Sequence, residues 1–223
     1  MRRLRAVTIG VVLAFVAMIQ VLPAEASGGP QVIGFGKNLI VNGGGESNVG
    51  GMGAGSGPAP RFWKRTGTLE VIKYGAYGGF PSATTPGPKI RGRSFFSGGY
   101  NTTVQTRIEQ TLDLTWAAAT VDAGKAKYVL SGWLGGYGSD DNNARLVVIF
   151  RNAAGRILGS KAIGPVMAAQ RAGQTSFLLR QATAAVPKKT RRATVQLKIT
   201  KVGSATYVSG YADNLSLVLT KTP

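Results

Sequence analysis

Along the chain, short apolar runs alternate with turn residues at a spacing that suits strands. Val195, Leu197 and Ile199 alternate with Gln196, Lys198 and Thr200, which is the pattern of a half-buried antiparallel strand. Leu215, Leu217 and Leu219 repeat it. The pattern predicts ten strands, at 38–42, 68–74, 93–97, 103–114, 127–134, 144–151, 157–163, 176–181, 194–201 and 211–219. Asn152-Ala153-Ala154-Gly155 between two of them reads as a hairpin connection, with Gly155 free to take positive φ. The single helical patch runs from Trp116 to Val121, one or two turns at most. Many short strands with so little helix predict an all-β, two-sheet antiparallel sandwich of jelly-roll type. Two stretches break the strand rhythm, 43–60 with its glycines and 74–91 with Pro81, Pro86 and Pro88. Both are expected to be long loops within one domain, because strands resume on either side.

The first segment departs from this pattern. Arg2, Arg3 and Arg5 precede an apolar run, and Pro23 is followed by Ala24-Glu25-Ala26. This is the layout of a secretory signal peptide over residues 1–26, with the mature chain expected at 27–223. The apolar stretch is slightly short for a membrane span of about 20 residues, and no later segment approaches that length. The expected location is extracellular or in the cell envelope, without a span once the signal is cleaved. Secretion without a single Cys fits a bacterial host better than a small disulfide-stapled domain.

Composition then removes chemistries. With no Cys and no His, there is no thiol nucleophile, no Ser-His-Asp triad and no ordinary zinc site. Catalysis would rest on carboxylates. Glu109 and Asp113 lie four apart on one strand, so they share a face roughly 13 Å apart, too far for a retaining glycosidase pair. No acid sits in a recognisable catalytic motif, and the chain reads as a non-enzyme. The net charge is +18, and most of it belongs to the mature chain. Such a field attracts polyanions without naming them. The densest run, Lys188-Lys189-Thr190-Arg191-Arg192, leads into a core-facing strand and lacks the interleaved aromatics of a nucleic-acid binder.

The two ends of the mature chain carry a resemblance. Asn38-Leu39-Ile40-Val41-Asn42-Gly43-Gly44-Gly45-Glu46 and Gly210-Tyr211-Ala212-Asp213-Asn214-Leu215-Ser216-Leu217 resemble the first and last strands of galactose-binding-domain-like jelly rolls. That superfamily includes bacterial carbohydrate-binding modules of the xylanase- and cellulase-associated kind. The resemblance implies a sugar-binding sandwich and a structural calcium ion held by the matching residues Glu46 and Asp213. Calcium takes about six to eight oxygens, and the family often has a further acidic or aromatic residue where this chain has Gly44 and Gly45. Pairing of Glu46 and Asp213 with nearby Lys or Arg, or a turn cap by Asp213, is the other reading.

Sugar recognition needs flat apolar faces ringed by polar groups. The loops and strand ends supply Tyr77, Phe80, Tyr100, Tyr137 and Tyr207, with Arg91, Arg93, Asp140 and Asn143 as the polar rim. Trp63 and Trp133 are expected in the core. The reading is a secreted, non-catalytic protein that binds a polysaccharide or other glycan, with its basic surface favouring anionic ones. The alternative is a structural or adhesive envelope protein that contacts other proteins and has no sugar site. An exposed aromatic cleft favours the first and a smooth surface the second. Oligomeric state is not legible in the sequence.

Overall fold

The computed structural model describes residues 31–100 and 104–222. The segment expected to be a signal peptide and the first residue of the strand expected at 103–114 lie outside the described residues. Two five-stranded antiparallel sheets pack face to face. Their strands are β1 (Lys64–Thr66), β2 (Glu70–Lys73), β3 (Ser94–Ser97), β4 (Gln105–Asp113), β5 (Ala126–Gly136), β6 (Asn143–Arg151), β7 (Ile157–Ile163), β8 (Ser176–Ala185), β9 (Arg192–Thr200) and β10 (Gly210–Lys221). The first sheet has the order β1-β4-β9-β6-β7 and the second β2-β3-β10-β5-β8. The chain therefore crosses repeatedly between sheets, and the all-β jelly-roll sandwich expected from the pattern is the fold. A 3-10 turn at Thr115–Ala117 and one short helix, α1 (Ala118–Asp122), stand where the helical patch was expected.

Alternation decides which side chains meet between the sheets. In β9, Val195, Leu197 and Ile199 point inward and are fully buried. They meet Leu130 and Leu134 of β5 and Leu215, Leu217 and Leu219 of β10 in one continuous core. Gly155 takes φ +81° in the β6–β7 hairpin, donating to the Asn152 carbonyl at 3.0 Å.

Around β2, β3 and the start of β10 the second sheet is buried on both faces. Phe96, Val71 and Ala212 face the main core, while their neighbours Phe95, Ile72 and Tyr211 face the other way into a second cluster with Ala76, Phe80 and Phe177. Its lid is the 74–91 loop. Arg91 clamps that loop: its guanidinium donates to the Pro88, Ser82 and Thr85 carbonyls at 2.9 Å each and lies 5.1 Å above the Tyr74 ring. The Phe177 N–H of β8 bonds the Pro86 carbonyl from below at 2.9 Å. Of the tryptophans expected in the core, Trp63 is buried there, whereas Trp133 is half-buried at the edge of this second cluster.

Two strand expectations need correction. Residues 38–42 run beside β10 but form no strand; Asn38 alone bridges to Val218. The Asn38 side chain interposes itself, its Oδ1 accepting the N–H groups of Ile40 and Leu217. The backbone of Val41 is matched by a side chain, with its N–H donating to Gln110 Oε1 at 3.1 Å and its carbonyl accepting Gln110 Nε2 at 2.6 Å. Asn42 then turns at φ 54°. Conversely, β1 was missed because Lys64, Arg65 and Thr66 are all exposed and contain no apolar position to reveal a period. It exists through its pairing with β4, Arg65 opposite Ile108.

Gln110 is almost fully buried, so its replacement leaves two backbone groups without partners. Gln110→Leu is expected to destabilise the protein by about 2 kcal/mol, since each buried orphan costs about 1–3 kcal/mol. Urea unfolding at unchanged m-value measures it.

Candidate functional site

A cleft of about 300 Å³ opens at the end of the second sheet where β5 stops and β10 starts. Gly136 and Gly210 pair there, and the Tyr137 N–H bonds the Ser209 carbonyl at 3.1 Å just beyond them. Phe80, Tyr137, Tyr207 and Tyr211 supply aromatic walls, and Asp140 and Ser209 the polar ones. The Ser209 hydroxyl donates to Asp140 Oδ2 at 2.7 Å. Tyr137 is 42% exposed, which leaves a ring face available, whereas Tyr211 is buried and forms the floor.

The rings are stacked in sequence. Phe80 meets Tyr207 edge-on at 5.5 Å and Tyr211 at 5.9 Å, and Tyr207 meets Tyr100 edge-on at 5.4 Å. Tyr100 thus extends the aromatic surface outward. Gly79 takes φ +79° and lies so close to Tyr137 that a Cβ would sit 2.8 Å from the ring; glycine is needed there on both counts. Tyr77 projects from the same loop, 77% exposed, with its N–H anchored on the Met52 carbonyl at 2.8 Å.

Two buried charged groups hold the cleft in shape. Glu70 accepts the Gly55 and Gly57 N–H groups at 3.0 and 2.7 Å and the Tyr207 hydroxyl at 2.9 Å. Burial raises its pKa above the usual carboxylate range. Tyr207 is thereby tethered by its hydroxyl, away from solvent, with Ser97 Oγ 2.8 Å from the same oxygen. Arg171 is 3% exposed and donates to the carbonyls of Gly136, Gly138, Gln174 and Asp140. It thereby fixes the turn that carries Tyr137 and Asp140. Burial lowers its pKa, and the carboxylates of Asp141 and Asp140 oppose this.

The residues nominated from sequence divide accordingly. Phe80, Tyr137 and Asp140 line the cleft, Tyr100 adjoins it through Tyr207, and Tyr77 stands on the loop beside it. Arg91 does not contribute to the rim, because its guanidinium is spent on the 82–88 carbonyls. Asn143 belongs to the first sheet and is buried, with its amide donating to the Asp141 carbonyl at 2.9 Å. Arg93 borders a different hollow, lined also by Lys73 and Tyr74. Missed from sequence were Tyr211, Ser209, Glu70 and Arg171.

Glu46 and Asp213 do come together, on either side of Gly44. Glu46 Oε1 accepts the N–H groups of Arg93 and Ser94 at 2.9 and 2.8 Å, and the Arg93 guanidinium lies 3.6 Å from Oε2. Asp213 is fully buried; its Oδ2 accepts the Tyr74 hydroxyl at 2.6 Å and its Oδ1 the Asn214 N–H at 2.7 Å. Burial raises the Asp213 pKa to about 7, Glu46 adds to the shift, and the two donors oppose it. Every one of these carboxylate oxygens thus faces a proton donor or a guanidinium. Among the described residues, no three acidic side chains gather as a metal-binding group. This donor set does not fit calcium.

No family model matches the chain, and no curated protein matches it at a significant level. Among solved structures, the chain is similar to the enzymatically active domain of tailspike protein 4 from bacteriophage CBA120 (TM-score 0.48, 16% identity, 83% of this chain and 21% of that one). It is also similar to the CBM22-1 xylan-binding domain of Paenibacillus barcinonensis Xyn10C (0.39, 15%, 77% of this chain and 90% of that one). A third likeness is to the CBM6cm-2 carbohydrate-binding module of Cellvibrio mixtus lichenase 5A in complex with cellotriose (0.34, 9%, 72% and 91%). The chain spans about a fifth of the tailspike chain. These are likenesses of fold. Among the described residues, no helix is long and apolar enough to cross a membrane.

Proposed function

We propose that the protein binds a glycan in the cleft between Phe80, Tyr137 and Tyr207, without catalysis, after export from the cell. The observation that carries this reading is the cleft itself: an aromatic floor, a half-exposed Tyr137 face, and Asp140 and Ser209 within the same hollow. Sugar rings present C–H faces to aromatic planes and hydroxyls to such polar groups. Exposed Tyr77 and Tyr100 around the mouth favour this over a purely structural envelope protein.

The carboxylates support binding rather than reaction. Glu70 and Asp213 are buried and hydrogen-bonded. Glu109 accepts from Gln196, Asp113 caps Thr115, Asp122 pairs with Arg191, and Asp141 accepts the Ala168 N–H. Asp140 is the acid that lines the cleft, and among the described residues no second carboxylate lines it.

The test is affinity for an array of neutral and acidic polysaccharides at low and high salt. Tyr137→Ala is expected to weaken retained high-salt binding at least about tenfold, roughly 1.4 kcal/mol, without lowering Tm. Unchanged affinity in that variant, or no binding by the parent protein, overturns the reading.

A further inference from the structure

The outer face of the first sheet carries a row of cations. Strand register sets Arg107 of β4 directly opposite Lys198 of β9, and Lys198 directly opposite Arg145 of β6. Three cations therefore stand side by side across three neighbouring strands, about 4.8 Å from one strand to the next. Like charges placed directly opposite one another on a sheet destabilise it. Neutralisation within the chain is slight: Arg107 has Glu109 at 3.5 Å, and neither Lys198 nor Arg145 forms an ion pair among the described residues. A groove of about 470 Å³ runs past Arg145 and Lys198, and its adjoining wall is the row Gln105, Thr200 and Asn143.

We propose that this groove binds a segment of an acidic polysaccharide. Carboxylate or sulfate groups bridge Arg145 and Lys198 in the groove, with Arg107 next in the same row, relieving their mutual repulsion, and sugar hydroxyls meet Gln105 and Thr200 beside them. The face selects against single-stranded nucleic acid. Bases are held largely by stacking on aromatic rings, and the outward positions of β4, β6 and β9 carry none; Phe150 of β6 points into the core. The site lies on the opposite sheet from the aromatic cleft and does not depend on it.

The experiment measures binding of polygalacturonate, heparin, neutral dextran and an oligothymidylate to three proteins at low salt. These are the parent, the double variant Arg145→Gln/Lys198→Gln, and a charge-matched control, Lys125→Gln/Lys127→Gln, whose exposed side chains belong to the other sheet's end. The groove variant is expected to lose at least about tenfold in affinity for one or both acidic polysaccharides, and the control less than about twofold. The groove variant is also expected to melt no lower than the parent, since a repulsion has been removed. Equal losses in the two variants reduce the effect to the general field of the protein and overturn the site. So does a parent protein that binds neither acidic polysaccharide. Oligothymidylate bound more tightly than either, and lost in the groove variant, reassigns the groove to nucleic acid and overturns the glycan proposal. Tyr137→Ala leaves this binding unchanged if the groove acts alone, so failure of the cleft and failure of the groove are separable.

Discussion

Arg171→Met is expected to destabilise the protein by about 4 kcal/mol and to abolish binding in the aromatic cleft. The substitution keeps the aliphatic stem but removes the donors to four carbonyls, those of Gly136, Gly138, Gln174 and Asp140. An unsatisfied buried group costs about 1–3 kcal/mol, and partial relaxation of the turn brings the sum to the lower end. In a chain of this size a kilocalorie is worth about 2–4 °C, so calorimetry should show Tm falling by about 10 °C. The turn freed by the change carries both Tyr137 and Asp140, so the glycan binding proposed for the cleft is expected to fall with it. A variant that melts within a degree or two of the parent shows that the four carbonyls find other partners.

The second large effect is a dependence of stability on pH. Asp213 holds its proton in the folded state up to about 7, against an ordinary value of 3.8, chiefly because it is buried. Between those values the folded state binds more protons than the unfolded one, so stability falls as pH rises from about 4 to about 7 and then levels. The interval corresponds to about 4 kcal/mol. Glu70, also raised by burial, contributes with the same sign. Asp213→Asn keeps the shape and removes the charge; it is expected to flatten most of the slope, stabilising the protein at pH 8 and changing little at pH 4. Denaturant midpoints across that range measure it. Added calcium is expected to leave the parent's slope in place. A calcium-dependent rise in stability at pH 8 would mean that the ion displaces the donors around Glu46 and Asp213 and keeps Asp213 ionised.

What could be read from the chain followed from where physical pressure acts on single residues. Strands with one face in the main core announce themselves by period, as in Val195, Leu197 and Ile199. Tyr137 and Phe80 were legible because rings set among glycines have room to be exposed, although Phe80 turned inward to pack on Tyr207 and Tyr211. The Leu39-Ile40 segment carried the composition of a strand, yet Asn38 and Gln110 satisfy its backbone through side chains, an arrangement that depends on residues distant in sequence. Arg171 sits among Ala, Gln and Gly in a polar stretch, with nothing local to distinguish it from a solvated arginine. Arg91, likewise, read as a ligand residue because its clamp on the 82–88 carbonyls exists only once the loop is closed. The cationic row of Arg107, Lys198 and Arg145 needs strand register, which joins three separate segments.

The strand hardest to see has a consequence for how molecules of this protein meet. Lys64–Thr66 ends the first sheet, where unpaired N–H and C=O groups would otherwise offer a template for a second copy. At three residues, all exposed, this border is too short to register a long partner strand. Two of its side chains are cationic, so an identical chain approaching in antiparallel fashion can bring Lys64 of one copy against Arg65 of the other. The sheet thereby ends in a repulsive margin, and crowding at high concentration is directed away from edge-to-edge growth along that side.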